Sequence, residues 1–289
     1  MPLQIASQAL AELGESPSWD SKHNRLFWVD ITGRKLFMLR KKKRPITYNL
    51  NQFVGAVVPR NKTSVVVALQ HGFYYFHLRT NKLEHIVDPE SHLVDNRFND
   101  GKCDPKGRFW AGTTDSIGID QKGALYSLNK DLQVSKKVDK VSTSNGITWS
   151  PDYQFMYFID TPTRKVVRFQ FDLKTGDISN QKEIIHIPAK TGVPDGMTSD
   201  EEGKLWIAHW GGSVVSRWDP VNGKLLDYID VPAVNVTSCI FGGQQLKELF
   251  ITTARIRTSE EDLEKFPNAG CVFKVNLGIK GLPSFSFGG

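Results

Sequence analysis

The chain has 289 residues, 39% hydrophobic and 24% charged, with 24 glycines. That composition is globular and excludes disorder. No apolar run approaches the roughly 20 residues of a membrane helix, so no membrane partner is expected. Five of the six net positive charges come from Arg40-Lys41-Lys42-Lys43-Arg44. The rest of the chain is therefore near neutral, and no aromatic-basic stripe accompanies the run. It reads as a solvated loop beside Pro45, and no nucleic acid partner is expected. The first residues have neither a basic nor an apolar leader pattern, so a cytoplasmic location is expected. Cys103, Cys239 and Cys271 are too scattered for a disulfide framework or a CxxC metal site and read as small buried apolar residues.

Along the chain one strand pattern keeps returning. Its copies are Leu26-Phe27-Trp28-Val29-Asp30, Val65-Val66-Val67-Ala68-Leu69, Arg108-Phe109-Trp110-Ala111-Gly112, Met156-Tyr157-Phe158-Ile159-Asp160, Leu205-Trp206-Ile207-Ala208-His209 and Leu249-Phe250-Ile251-Thr252-Thr253. Most follow turn-rich lead-ins such as Trp19-Asp20-Ser21, Asp104-Pro105-Lys106-Gly107 and Ser199-Asp200-Glu201-Glu202-Gly203. Alternating runs such as Val166-Val167-Arg168-Phe169-Gln170-Phe171 fill the intervals, with turns such as Asp172-Leu173-Lys174-Thr175-Gly176 between them. A repeat of roughly 45 residues built from several short strands is a propeller blade. Six copies predict an all-β, six-bladed β-propeller, with residues 1–289 as a single domain and the terminal strands sharing one blade. The one helix signal is Ser259-Glu260-Glu261-Asp262, leading to Phe266 and stopped by Pro267.

The strand that opens each blade faces the central channel, and the repeat identifies what stands in that phase. The positions are Glu15, Val54 or Gly55, Asn99, Asn145, Asp195 and Thr237 or Ser238. Carboxylates and amides converging on one axis are costly to desolvate unless a cation neutralises them, and an all-oxygen set suits Ca²⁺, Mg²⁺ or Mn²⁺, with Zn²⁺ less favoured. On residues alone the other reading stays open: Asn, Asp and Gly also populate blade-edge turns. Asp30 and Asp160 read as strand-end turn residues, and His209, which stands in the same phase, as a structural partner of the Trp210-Gly211-Gly212 turn. No G-x-S-x-G, Walker A, G-x-G-x-x-G or H-E-x-x-H pattern competes.

Gly14-Glu15-Ser16-Pro17-Ser18-Trp19, Arg97-Phe98-Asn99-Asp100-Gly101-Lys102, Ser144-Asn145-Gly146-Ile147-Thr148-Trp149-Ser150, Pro194-Asp195-Gly196-Met197 and Gly203-Lys204-Leu205-Trp206-Ile207-Ala208 occur in that order. Together they resemble the regucalcin (SMP-30)/gluconolactonase/luciferin-regenerating enzyme family over nearly the whole chain. The resemblance implies a six-bladed propeller with a divalent metal in the central channel, ligated by Glu15, Asn145 and Asp195, and a substrate-binding pair, Arg97 and Asn99. It implies a metal-dependent lactonase that opens a small-molecule sugar lactone, with Asp195 as ligand and general base, acting as a monomer or weak dimer. The alternatives are a non-enzymatic calcium-binding propeller and a hydrolase of organophosphate or luciferin-regenerating type. Some members carry an acidic substrate residue in a loop that is short here, Thr113 to Asp120, and contains no Glu. Asp115 is the candidate replacement; a solvated loop residue is the other reading.

Overall fold

Each recurring run forms the second strand of a four-stranded antiparallel sheet in the computed structural model, which describes residues 2–41 and 43–289. Blade 1 is built from Gly14–Asp20, Arg25–Asp30, Lys35–Arg40 and Ile46–Asn49. Blades 2 to 5 open with inner strands Val54–Pro59, Asn96–Cys103, Ser144–Trp149 and Val193–Ser199. Blade 6 takes Asn235–Gly242, Glu248–Ala254 and Val272–Asn276, and its outermost strand is the N-terminal Gln4–Ser7, paired through Gln4↔Lys274 and Ile5↔Phe273. The expected sharing of one blade by both termini is thus present. It closes a six-bladed ring whose first and last blades are stitched by backbone hydrogen bonds.

Burial falls from the axis outward. The inner and second strands are almost wholly buried, whereas an outer strand such as Lys224–Asp230 is mostly exposed. Because neighbouring blades cover both faces of the second strand, its residues are continuously apolar rather than alternating, which made the repeat visible. Blades pack through aromatic contacts: Phe73 of blade 2 against Phe98 of blade 3, with ring centroids 4.6 Å apart, and Trp206 of blade 5 against Phe241 of blade 6 at 6.0 Å. Truncating such a residue to Ala costs about 3–5 kcal/mol.

Ser259 caps the short helix Glu260–Lys265 by accepting the Asp262 amide at 3.1 Å, as its sequence predicts. All three cysteines are free and buried. Arg40, Lys41, Lys43 and Arg44 are exposed; Lys42 of the basic run lies outside the described residues. Among the described residues no helix is long and apolar enough to cross a membrane.

At the end of the ring where the inner strands finish, the lead-in aspartates are buried and paired. Asp20 accepts from Arg25 Nε at 2.8 Å. Asp104 accepts from Trp110 Nε1 at 2.9 Å and from Arg108 Nε at 2.5 Å. Asp200 accepts from Trp206 Nε1 at 2.9 Å and from Arg217 Nη2 at 2.7 Å. Their sequence context read only as turns, but the residues clamp the end of the inner strand to the start of the next, and Asp200 reaches the third strand as well.

Candidate active site

All six inner strands break register near the opposite end, the mouth. The irregularities fall between Glu15 and Ser18, Val54 and Ala56, Phe98 and Asp100, Ser144 and Ile147, Pro194 and Met197, and Val236 and Ser238. A bulge leaves a residue out of the ladder and re-aims its side chain. Five of the six repeat-phase positions lie within these breaks, and Glu15 borders its own. Glycine lets the backbones converge there: a Cβ on Gly196 would come within 2.0 Å of Ser238 Oγ, and one on Gly146 within 2.7 Å of the Asp195 carbonyl oxygen.

The segments entering these strands are held from below. Asp30 accepts the amides of Glu12 and Leu13 at 3.0 Å each, just before Glu15. Asp160 accepts those of Ser142 and Thr143 at 3.1 and 2.8 Å, just before Asn145. His209 stands in the same phase and bonds the Thr191 carbonyl at 2.8 Å through Nδ1 and Ser216 Oγ at 2.6 Å through Nε2. The His209 carbonyl accepts the Gly212 amide of the following turn at 3.2 Å, as the sequence reading expects, but the side chain secures the loop before Asp195 instead. The physical reason is the phase: that strand position faces the preceding crossover.

A chain of hydrogen bonds runs around the mouth. Arg97 Nη1 donates to Asn99 Oδ1 at 2.8 Å and to the Phe98 carbonyl at 3.0 Å. Asn99 Nδ2 donates to the Ser144 carbonyl at 2.9 Å and approaches Asn145 Oδ1 at 3.3 Å. Asn145 Nδ2 donates to Thr161 Oγ1 at 2.8 Å, and Thr161 donates to the Pro194 carbonyl at 2.9 Å. With Nδ2 committed, the Asn145 amide has a fixed orientation. Asn99 Oδ1, by contrast, is already taken by Arg97.

Glu15, Asn145 and Asp195 are all buried, and the burial is electrostatically adverse. Burial holds the Glu15 carboxyl well above the usual range, and Asp195 and Asp100 push it further. Asp195 is raised likewise, by burial first and then by Asp100. Burial lifts Asp100 to about 6 despite the opposing ammonium of Lys102. Lys102 is itself lowered by burial and donates from Nζ to the Met197 carbonyl at 2.7 Å. Burial brings Arg97 down to about 10, which leaves it charged at neutral pH. The Cys239 thiol is pushed up to about 12, also by burial, so no thiolate nucleophile is available there.

Asp195 Oδ1 is buried with no hydrogen-bond partner. An orphaned carboxylate oxygen beside further buried carboxylates and a fixed amide fits a hard cation, which would supply the missing partner and offset the repulsion. Among the described residues no three His, Cys, Asp or Glu side chains suffice to hold an ion by themselves. The candidate donor set is therefore two carboxylates and an amide.

Asp100, Lys102 and Thr161 are the channel residues that the sequence reading missed. Asp100 and Lys102 had a signal: they stand two apart on one strand, directly after the bulge at Asn99, and so share its inner face. Asp115 is not the solvated loop residue of the alternative reading: it is buried, and its Oδ1 accepts the amides of Ile117 and Ile119 at 2.9 and 3.1 Å, so it shapes its own loop.

Residues 13–255 match the family model described as SMP-30/Gluconolactonase/LRE-like region. The chain is 41% identical over 292 residues to Bacillus subtilis YvrE, whose name assigns it provisionally as a sugar lactone lactonase, covering 100% of this chain and 99% of that protein. Among solved structures it is similar to a calcium-binding protein, regucalcin, from Agrobacterium tumefaciens, with TM-score 0.94, 27% identity and coverage of 99% and 97%. It is also similar to a luciferin-regenerating enzyme, with TM-score 0.93, 30% identity and coverage of 99% and 98%. The chain belongs to the SMP-30/gluconolactonase/LRE-like family.

Proposed function

We propose that this protein opens the ring of a sugar lactone at the propeller mouth, with a divalent cation held by Glu15, Asn145 and Asp195. The observation that carries the reading is the unpartnered Asp195 Oδ1 among converging buried carboxylates. The name of the B. subtilis relative supports the substrate class. When bound, the cation (Ca²⁺, Mg²⁺, Mn²⁺ or Zn²⁺) supplies Lewis-acid polarisation of the ester carbonyl.

The residues divide the remaining work. Arg97 has Nε and Nη2 left after its bonds to Phe98 and Asn99, a pair of donors suited to lactone oxygens and hydroxyls. Asn99, oriented by Arg97 and the Ser144 carbonyl, lines the same wall. Asp195 takes the proton from the attacking water: a carboxylate can offer one oxygen to a cation and keep the other as proton acceptor. No covalent intermediate is required, in keeping with the protonated Cys239.

A second reading is calcium binding without turnover, favoured by the description of the A. tumefaciens protein. One experiment separates them: a panel of aldonolactones, an organophosphate ester and a nitrile assayed with each cation and with chelator. The proposal expects lactone hydrolysis that chelation abolishes and cation restores. Saturable cation binding with no turnover would select the second reading.

A further inference from the structure

We infer that a second ligand site, separate from the mouth, lies in the seam between blades 6 and 1. It takes a polyphosphate joined to an apolar body, the chemistry of a nucleoside triphosphate. The inference does not rest on the lactonase reading.

Where the ring closes, a cleft of about 570 Å³ opens between its first and last blades, a volume suited to one small molecule. It lies at the far end of the ring from Glu15. Trp19 is the penultimate residue of the blade 1 inner strand Gly14–Asp20, and Gly242 is the last residue of the blade 6 inner strand Asn235–Gly242. The floor of the cleft is apolar and tightly built. Trp19 and Phe250 stack there with ring centroids 5.6 Å apart and planes 12° from parallel, and Leu26 and Leu39 extend the surface. Glycine lets the backbone pass against these rings, since a Cβ on Gly242 would come within 2.8 Å of both.

The walls are cationic. Arg40, Lys41 and Lys43 of the basic run line the blade 1 side, and Lys247 and Lys274 the blade 6 side. Among the described lining residues Glu248 is the one carboxylate, and Lys274 Nζ already donates to it at 2.5 Å. Arg40, Lys41, Lys43 and Lys247 make no ion pair among the described residues. Like charges that share one cleft repel, and a polyanion seated among them removes that repulsion. Two features of the cleft then select the ligand. Its lysines suit phosphate groups, which they bind as point charges. Its aromatic and aliphatic floor is unused by an inorganic polyphosphate and suits an attached ring, whose polar edge the side-chain amides of Asn24, Gln244 and Gln245 can meet. A nucleic acid strand would need an extended track of phosphate contacts, whereas these charges surround one compact volume.

The test is calorimetry on the whole chain at low salt, with chelator present so that no divalent cation bridges nucleotide and protein. ATP should bind at one site per chain, tighter by roughly tenfold or more than either adenosine or inorganic tripolyphosphate. Lys43→Glu and Lys247→Glu, one from each wall, should each weaken ATP by roughly tenfold, and roughly 0.5 M NaCl should weaken it for the wild type. Lys43 is exposed, so an unchanged melting temperature of Lys43→Glu without ligand is the expected control for folding. ATP should raise the melting temperature of the wild type more than that of either variant, because it binds across the seam that closes the ring. Absence of ATP binding at roughly millimolar concentration would overturn the site. So would tripolyphosphate binding as tightly as ATP, which would leave the apolar floor without a role, or ATP affinities in both variants equal to wild type. A DNA duplex or anionic phospholipid vesicles bound more tightly than ATP would also overturn it, in favour of a macromolecular surface.

Discussion

At the end of the ring where inner strands finish, Asp200 accepts from Trp206, Arg217 Nε and Arg217 Nη2, whereas at the mouth Asp195 keeps Oδ1 without a partner. Asp104 and Glu15 repeat the contrast: the first is clamped by Arg108 and Trp110, the second faces two other carboxylates. Both sets are buried and both come from the same inner strands. A buried carboxylate with arginine and indole donors fixes structure. One left with like charges is destabilised, and the cation proposed above would offset that repulsion. The difference teaches which acids of the repeat are scaffold and which are site, and substitutions at the two ends should separate accordingly.

The largest effect is expected at Asp195. Asp195→Asn retains shape and one oxygen but loses charge and the proton acceptor. Turnover should fall by roughly 10²–10⁴-fold and stay low at saturating metal. Asn145→Ala deletes only a neutral donor, so excess metal should restore much of its activity. Steady-state assays across a metal series distinguish the two, and rescue of Asp195→Asn to wild-type kcat would leave Asp195 as a ligand alone.

At the other end, Asp200→Asn removes the buried charge that Trp206 and the half-buried Arg217 bind, while Arg217 keeps Glu202, and should cost about 1–3 kcal/mol of stability with metal affinity preserved. Denaturant melts read the first quantity and calorimetry the second. Equal losses of stability for Asp200→Asn and Asp195→Asn in chelated protein would erase the distinction between scaffold and site.

Arg97→Ala should raise KM by roughly tenfold, more than it lowers kcat, because its donors are used in both ground and transition states. Metal affinity should change little, since a guanidinium cannot ligate a cation.

The smallest effect concerns pH. Asp100 has a carboxyl of about 6 in the fold against 3.8 ordinarily. Between those values the folded protein keeps a proton that the unfolded chain has released, so stability is lost as pH rises through this window. Chelated protein should therefore melt at a lower temperature near pH 7 than near pH 5, and Asp100→Asn should flatten the slope. A melting temperature that rises over this range would contradict the assignment.

The blade count was legible because each second strand is buried on both faces and stays apolar throughout, as in Leu205-Trp206-Ile207-Ala208. The mouth phase was legible because the bulges fall at a fixed distance before those runs. What one position per blade concealed was the residue after the bulge. Asp100 and Lys102 follow Asn99, and only the register shift reveals that they face inward. Asp104 and Asp200 misled in the other direction, since a turn composition does not disclose that Arg108 at the turn's end, or Arg217 from a later strand, will pair with the carboxylate. Thr161, whose hydroxyl orients Asn145 from the next crossover, carried no sequence signal. His209 showed the right phase and only its backbone partner, because the direction of its side-chain bond depends on where the preceding loop crosses.

The central claim is that the carboxylates at the mouth await a divalent cation, and calorimetric titration of chelated protein tests it most directly. Ca²⁺, Mg²⁺, Mn²⁺ and Zn²⁺ would each be titrated into wild type, Glu15→Gln, Asp195→Asn and Asp200→Asn. One site per chain is expected for at least one cation, weakened by roughly tenfold or more in Glu15→Gln and Asp195→Asn and little changed in Asp200→Asn. Absence of binding by all four ions at roughly millimolar concentration, or affinities in Glu15→Gln and Asp195→Asn equal to wild type, would contradict it.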